Sequence, residues 1–232
     1  MSIKHGMILA AGLGKRMQPL TLKTPKPLIE INKSTLLERA INLLISHGVQ
    51  EICINVHYLS DQIQSFINKK KFQINITISK EEDLLLDTGG GVLKGTRNFG
   101  DNPFFVINPD TVWSKVYLEE LKNLETIYLK NKKPTLLLVN KKLSFDPSFQ
   151  GDFNLNNEKI TKGDENQFIF TGLQITHRSK LIEEKSKVFS MNKVWNKLIK
   201  DKNLQGLESN QTFYHLNTFD MYKKILSFNI ID

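Results

Sequence analysis

Residues 8–28 read ILAAGLGKRMQPLTLKTPKPL. An apolar run stops at small residues, Gly12 and Gly14 flank Leu13, and Lys15 and Arg16 follow. Pro19, Pro25 and Pro27 then prevent an immediate helix, with Lys26 held between the last two. A buried strand that ends in a glycine-containing turn brings main-chain N–H groups to a ligand with no Cβ in the way. In open α/β sheets, ligands bind outside the carboxyl ends of the strands. The stretch therefore predicts a phosphate-holding loop after the first strand, with Lys15 and Arg16 adding charge-assisted hydrogen bonds. Two familiar phosphate motifs do not fit. A dinucleotide fingerprint needs a third glycine where Met17 stands, and a P-loop needs Ser or Thr where Arg16 stands. The bland alternative is an ordinary surface loop, and a lone Gly-x-Gly is weak evidence against it.

Outward from the loop, strand and helix signals alternate. Ile3–Ala10 reads as a first buried strand. Leu36, Leu37, Ala40, Ile41, Leu44 and Ile45 recur at helical spacing, and Gly48 is a stop signal. Glu51–Val56 is a second strand; Ser60 is placed to cap a helix carrying Ile63, Phe66 and Ile67; Phe72–Ile78 is a third strand. Asp87-Thr88-Gly89-Gly90-Gly91 reads as a loop opening a short helix through Val92 and Leu93. Phe104–Ile107 is a strand ending at Asn108-Pro109-Asp110. A helix with Leu118, Leu121, Leu124, Ile127 and Tyr128 leads to a strand at Thr135–Val139. This alternation predicts an α/β fold: an open, mainly parallel (mixed) sheet with helices on both faces. After Lys141 the rhythm changes, with strand signals at Gln167–Gln174 and Gln211–Leu216. We expect one domain over 1–232, with about 1–140 as a first half that carries the glycine loop and about 141–232 as a second half that completes the sheet and builds a lid.

The 232 residues carry a formal charge of +8 and one cysteine, Cys53, which excludes an internal disulfide and reads as a buried strand thiol. Apolar runs are too short to span a bilayer or serve as a secretory signal, so a cytoplasmic protein with no membrane partner is expected. The basic balance suits an anionic substrate. Nucleic acid is not indicated, because the lysines are scattered and the aromatics do not interleave with them; the tight run Lys69–Lys71 ends a predicted helix, where cations favour the dipole. His5, His47, His57 and His177 show no metal-ligand spacing, and no hydrolase triad pattern is present.

Ala11–Thr21 and Pro25–Leu28 resemble the signature of the sugar-1-phosphate nucleotidyltransferases, Ala-Gly-x-Gly-x-Arg-Met-x-Pro-Leu-Thr followed by Pro-Lys-Pro-Leu. The resemblance covers most of the chain and is nearest to the short N-acetylmuramate-1-phosphate uridylyltransferase-like members. Asp87–Gly91, Asn108–Trp113, Gly151-Asp152-Phe153 and Phe170-Thr171-Gly172 fall in register with later motifs. The resemblance implies a Rossmann-like nucleotidyltransferase architecture, a nucleoside triphosphate and a sugar 1-phosphate as substrates, and a nucleotide sugar and pyrophosphate as products. It assigns Ala11, Gly12, Gly14, Lys15 and Arg16 to the triphosphate and Lys26 to the α-phosphate and the incoming sugar phosphate. Gly89 and Gly90 would admit the base or ribose. Asp110 would hold Mg2+, with Asp110, Arg16 and Lys26 forming the catalytic set; Asp152, Thr171 and Gly172 would line the sugar pocket. The absence of the long C-terminal extension of larger relatives points to a monomer.

The pattern breaks near the C-terminus. Where the family commonly carries Asp-Val-Gly-Thr, this chain has His215-Leu216-Asn217-Thr218, and the second metal carboxylate is missing. His215 as a ligand would favour Mn2+ over Mg2+; as a partner of a phosphate or a metal-bound water it would leave the ion to Asp110. A packed strand histidine, or impaired catalysis, are the other readings. Pro109, where a small residue is usual, is a milder departure. Guanylyl transfer to mannose 1-phosphate, and thymidylyl or uridylyl transfer to glucose 1-phosphate, remain alternatives in substrate; a non-catalytic nucleotide-binding module is the alternative in class.

Overall fold

The computed structural model describes residues 2–228. In chain order the elements are β1 (His5–Leu9), β2 (Glu30–Ile31), β3 (Ser34–Thr35), α1 (Leu36–His47), β4 (Glu51–Val56), α2 (Ser60–Lys70), β5 (Asn75–Lys80), α3 (Asp87–Gly95), β6 (Phe104–Ile107), α4 (Leu118–Asn131), β7 (Thr135–Asn140), β8 (Asn154–Asn156), β9 (Lys159–Thr161), β10 (Phe168–Thr176), α5 (Met191–Lys200), β11 (Gln205–Ser209) and α6 (Phe219–Leu226).

One nine-stranded sheet runs β5-β4-β1-β6-β10-β7-β11-β9-β8. β5, β4, β1 and β6 are mutually parallel, β10 enters antiparallel between β6 and β7, and β11 pairs parallel with β7. The expected open, mixed sheet is what forms. Its two faces are separated by the strand alternation. Ile8, Ile52, Ile54, Phe105 and Ile107 point into a core shared with α1, α2 and α4. Met7, Cys53, Phe104, Val106, Leu136 and Leu138 point into a second core shared with α3 and α5. Cys53 is buried there, and burial pushes its thiol pKa up. Among the described residues no helix is long and apolar enough to cross a membrane.

The chain winds outward from β1 through β4 to β5, then returns to place β6 on the other side of β1. This reversal opens a crevice beyond the carboxyl ends of β1 and β6, the position at which doubly wound sheets receive ligands. The loops that meet there are 10–14 and 108–110.

Several expectations need correction. Ser60 does not cap α2: the cap is Leu59, in the left-handed conformation, and makes no side-chain bond. The strand expected over Phe72–Ile78 begins three residues later, at Asn75. The Asp87–Gly91 segment is the first turn of α3 rather than a loop before it, and its glycines pack against the Phe189 ring, the Lys187 carbonyl and the Asn55 side chain, contacts that sequence spacing does not reveal. Gln211–Leu216 is not a strand; it contributes only isolated bridges, Ser144↔Phe213 and Thr111↔His215. The seventh position in the sheet, parallel to β7, is taken instead by β11, which is short and carries only one apolar residue, Leu207.

Candidate active site

Three adjoining hollows of about 270, 230 and 200 Å³ share Leu9 and together form one cleft beyond β1 and β6. The first is walled by Gly12, Gly14, Lys15, Arg16, Lys26 and Asp110. The opening stretch thus delivers its glycines and all three cations to one place. Gly14 adopts φ +63°, and its carbonyl accepts hydrogen bonds from the Met17 amide and the Thr21 hydroxyl, both at 2.8 Å. A side chain there would meet Thr21 Cγ2 at 2.9 Å. Gly12 is the opposite case: a Cβ on it meets no protein atom within 4 Å. Packing does not require a glycine at 12, so the open space above its backbone is available to a ligand.

Lys26 Nζ lies 2.8 Å from Asp110 Oδ2, and His215 Nε2 lies 3.2 Å from the same oxygen. The histidine reaches it because 213–216 runs beside 110–112: the Val112 amide donates to the Tyr214 carbonyl at 2.8 Å and the Leu216 amide to that of Asp110 at 2.7 Å. Burial opposes ionisation of Asp110, yet Lys26 and His215 hold its carboxyl well below the usual carboxylate range. Its other oxygen, Oδ1, is buried with no hydrogen-bond partner. That orphaned lone-pair donor is the feature a hard divalent cation fits, and Asp110 is the residue that would hold one. Among the described residues no cluster of three or more acidic, His or Cys side chains surrounds it, so most ligands of such an ion would come from phosphates and water, as is usual for magnesium. His215 stacks on Phe213 at 5.7 Å and meets the edge of Phe149 at 5.4 Å. It is a packed residue that lines none of the three hollows and reaches the cleft through Asp110, at which its Nε2 is directed.

The second hollow is bounded by Ala11, Asn55, Glu81, Asp87, Thr88 and Asn108. A buried network that the sequence reading missed sets its shape. Asn55 Oδ1 accepts from the Ala10 amide at 2.9 Å, Asn55 Nδ2 donates to Glu81 Oε1 at 2.7 Å, and Glu81 Oε2 accepts from the Leu86 amide at 2.8 Å. Gly91 lets α3 approach this pair: a Cβ there would lie 2.6 Å from Asn55 Nδ2. The available signal was an acid and an amide just inside or beyond the ends of two apolar strands.

Gly89 and Gly90 are not brought to the cleft. They face the 187–189 segment, where added Cβ atoms would strike the Phe189 ring at 2.4 Å and the Lys187 carbonyl at 2.2 Å, and both amides bond to the Phe189 carbonyl. The third hollow includes Asp152, Phe170, Gln174, Asn192 and Trp195. Asp152 Oδ2 accepts from the Phe170 amide at 2.9 Å. Thr171 is 1% exposed and its hydroxyl is spent on the Leu137 carbonyl. Gly172, at φ +94°, makes the irregularity of β10 and packs on Asn108. Neither lines the hollow. Gln174, buried and holding the Trp195 indole N–H at 3.0 Å, occupies the pocket wall instead. Asn217 lines the phosphate hollow and donates to Asp146.

A glycine turn, three cations and a carboxylate at the switch point of an open sheet define a site for phosphate-bearing ligands. The nucleotidyl transferase family model matches residues 5–142, more than half of the chain, and the chain belongs to that family. It is 36% identical over 113 residues to an N-acetylmuramate alpha-1-phosphate uridylyltransferase of Caulobacter vibrioides, covering 47% of each chain. It is 36% identical over 121 residues to a mannose-1-phosphate guanyltransferase of Hypocrea jecorina, covering 50% of this chain and 33% of that one. The matches thus span about half or less of these curated relatives. A solved UDP-glucose pyrophosphorylase complexed with UDP-glucose shares the fold, with a TM-score of 0.81, 18% identity and 97% of each chain covered.

Proposed function

We propose that this chain transfers a nucleotidyl group from a nucleoside triphosphate to a sugar 1-phosphate and releases pyrophosphate. The observation that carries the proposal is the convergence of the 12–16 turn, Lys26 and Asp110 on one cleft. The reaction joins two polyanions that repel each other, so the protein's work is alignment and charge neutralisation. The amides around Gly12 and the Lys15 and Arg16 side chains grip the triphosphate, with Arg16 beside the leaving pyrophosphate. Lys26 lies between Pro25 and Pro27 and donates to the α-phosphate and the attacking sugar phosphate, leaving Asp110 Oδ2 to His215. A divalent ion on Asp110 Oδ1 would neutralise charge on the triphosphate and on the departing pyrophosphate. His215 orients the carboxylate. The base enters the hollow bounded by Asn55, Glu81 and Thr88, and the sugar enters the one bounded by Asp152, Gln174 and Trp195.

For the substrate we propose uridylyl transfer to N-acetylmuramate 1-phosphate, on the likeness to the uridylyltransferase of Caulobacter vibrioides. Guanylyl transfer to mannose 1-phosphate is the second reading, favoured by an equal identity to the guanyltransferase of Hypocrea jecorina. The deciding experiment incubates the protein with each nucleoside triphosphate and a panel of sugar 1-phosphates, with magnesium or manganese, and reads pyrophosphate release and product mass. UDP-N-acetylmuramate as the preferred product is the expected result. Binding of nucleotide without turnover across the panel would make the chain a binding module and end the proposal.

A further inference from the structure

Behind α3, on the side away from the cleft, lies a further hollow of about 500 Å³, larger than any of the three that make up the cleft. Five cations line it: Lys80, Lys94, Arg97, Arg178 and Lys187. Fixed main-chain contacts hold two of them in place. Arg178 Nη1 donates to the Leu93 carbonyl at 2.6 Å, and Lys94 Nζ to the carbonyl of Lys80. Arg97 stands near enough to Arg178 for the two guanidinium charges to repel. Among the described residues none of the five forms an ion pair, although Glu82 and Asp83 are also on the wall. The third acid there, Glu81, has both oxygens bonded to Asn55 and the Leu86 amide.

Five cationic side chains against three acidic ones leave the hollow net positive, and the remaining repulsion among the cations is a cost that a multivalent anion lowers. Guanidinium groups match phosphate oxygens as forks, and a hollow of this volume suits a small molecule. We infer that this hollow is a second anion site, separate from the nucleotide cleft, that takes a small molecule bearing one or two phosphoryl groups. α3 walls both cavities, with Asp87 and Thr88 on the cleft side and Gly90, Leu93 and Lys94 on this one, and Arg97 follows just beyond its end. The site is thus assembled from the β5–α3 connection, α3 and the 178–187 segment, and uses no cation of the cleft.

Pyrophosphate is the probe, titrated calorimetrically without divalent ions into the full chain, Arg16→Ala, Arg97→Glu/Lys187→Glu, and the three changes combined. Arg16→Ala is expected to retain a pyrophosphate site, and the combined variant to bind it at least tenfold more weakly. Loss of all binding in Arg16→Ala alone, or equal affinity in Arg16→Ala and the combined variant, would overturn the inference. A failure of the functional proposal looks different: Arg16→Ala would then leave every pyrophosphate site of the unmodified chain intact. Arg97 and Lys187 are exposed, so their replacement should leave the fold in place. Should the charge reversal disturb it, Arg97→Gln in the Arg16→Ala background is expected to weaken binding about threefold, and unchanged affinity there would count against the site.

Discussion

Gly12 and Gly14 sit two residues apart in one loop, yet replacing each by alanine should do opposite things. At Gly14 the backbone is left-handed, which costs an L-residue about 1–2 kcal/mol. The new methyl group would also press on Thr21 Cγ2 at 2.9 Å and Lys26 Cβ at 3.3 Å. For a chain of this size, about 1–2 kcal/mol lowers the melting temperature by roughly 2–8 °C. At Gly12 the methyl meets nothing, and the lost freedom of the unfolded chain should stabilise by up to about 1 kcal/mol. The same methyl would stand where phosphate approaches the main chain. A displacement of about 1 Å in a reacting group can cost about 10²-fold in rate, so Gly12→Ala should lose roughly 10–10²-fold in kcat/KM while melting no lower than the unmodified chain. Thermal unfolding followed by tryptophan fluorescence, with pyrophosphate release on the same samples, reads both quantities. Full activity in a stably folded Gly12→Ala would refute the idea that ligand phosphate contacts this turn.

Asp110→Asn should keep the fold but lower turnover by at least roughly 10²–10³-fold, the usual scale for removing one strong charge-stabilising group, and steady-state assays with excess metal check it. His215→Asp supplies the absent second carboxylate; it should lower the magnesium concentration giving half-maximal activity, at some cost in stability because the ring leaves Phe213 and Phe149. Thr171→Val should cost about 1 kcal/mol in urea unfolding through the lost bond to Leu137, with KM for the sugar phosphate unchanged. Burial raises the Glu120 carboxyl above its ordinary value despite bonds from Ser209 and the Asn210 amide. The folded state therefore holds that proton more tightly than the unfolded state. Its contribution to stability falls as pH rises through the ordinary carboxylate range and stays reduced above the folded value. Relative to Glu120→Gln, the unmodified chain should lose urea stability between pH 4 and pH 8, and a pH-independent difference would contradict this.

The sheet was legible because its central strands are continuous apolar runs between turn residues, as in Glu51–Val56 and Phe104–Ile107, and α1 has both a helical stripe and a glycine stop. Legibility failed where tertiary contacts decide. β11 carries the single apolar residue Leu207 and is a strand because β7 offers it an edge. Gln211–Leu216 alternates like a strand but is used to carry Phe213 inward and His215 to Asp110. In the site, the cations and Asp110 could be read because the motif strings them along one loop and one strand end. The glycines at 89 and 90 misled for a physical reason: a glycine required by a neighbouring backbone looks the same in sequence as one required by a ligand. Asn55 and Glu81 lie 26 positions apart, and nothing in either local sequence shows that they are bonded.

A crystal structure of the chain with magnesium and a non-hydrolysable uridine triphosphate analogue bears most directly on the central claim. The account predicts phosphate oxygens within hydrogen-bond distance of the amides at 12–14 and of Arg16, with the ion on Asp110 Oδ1. Phosphates lying elsewhere, or an ion coordinated without Asp110, would contradict it.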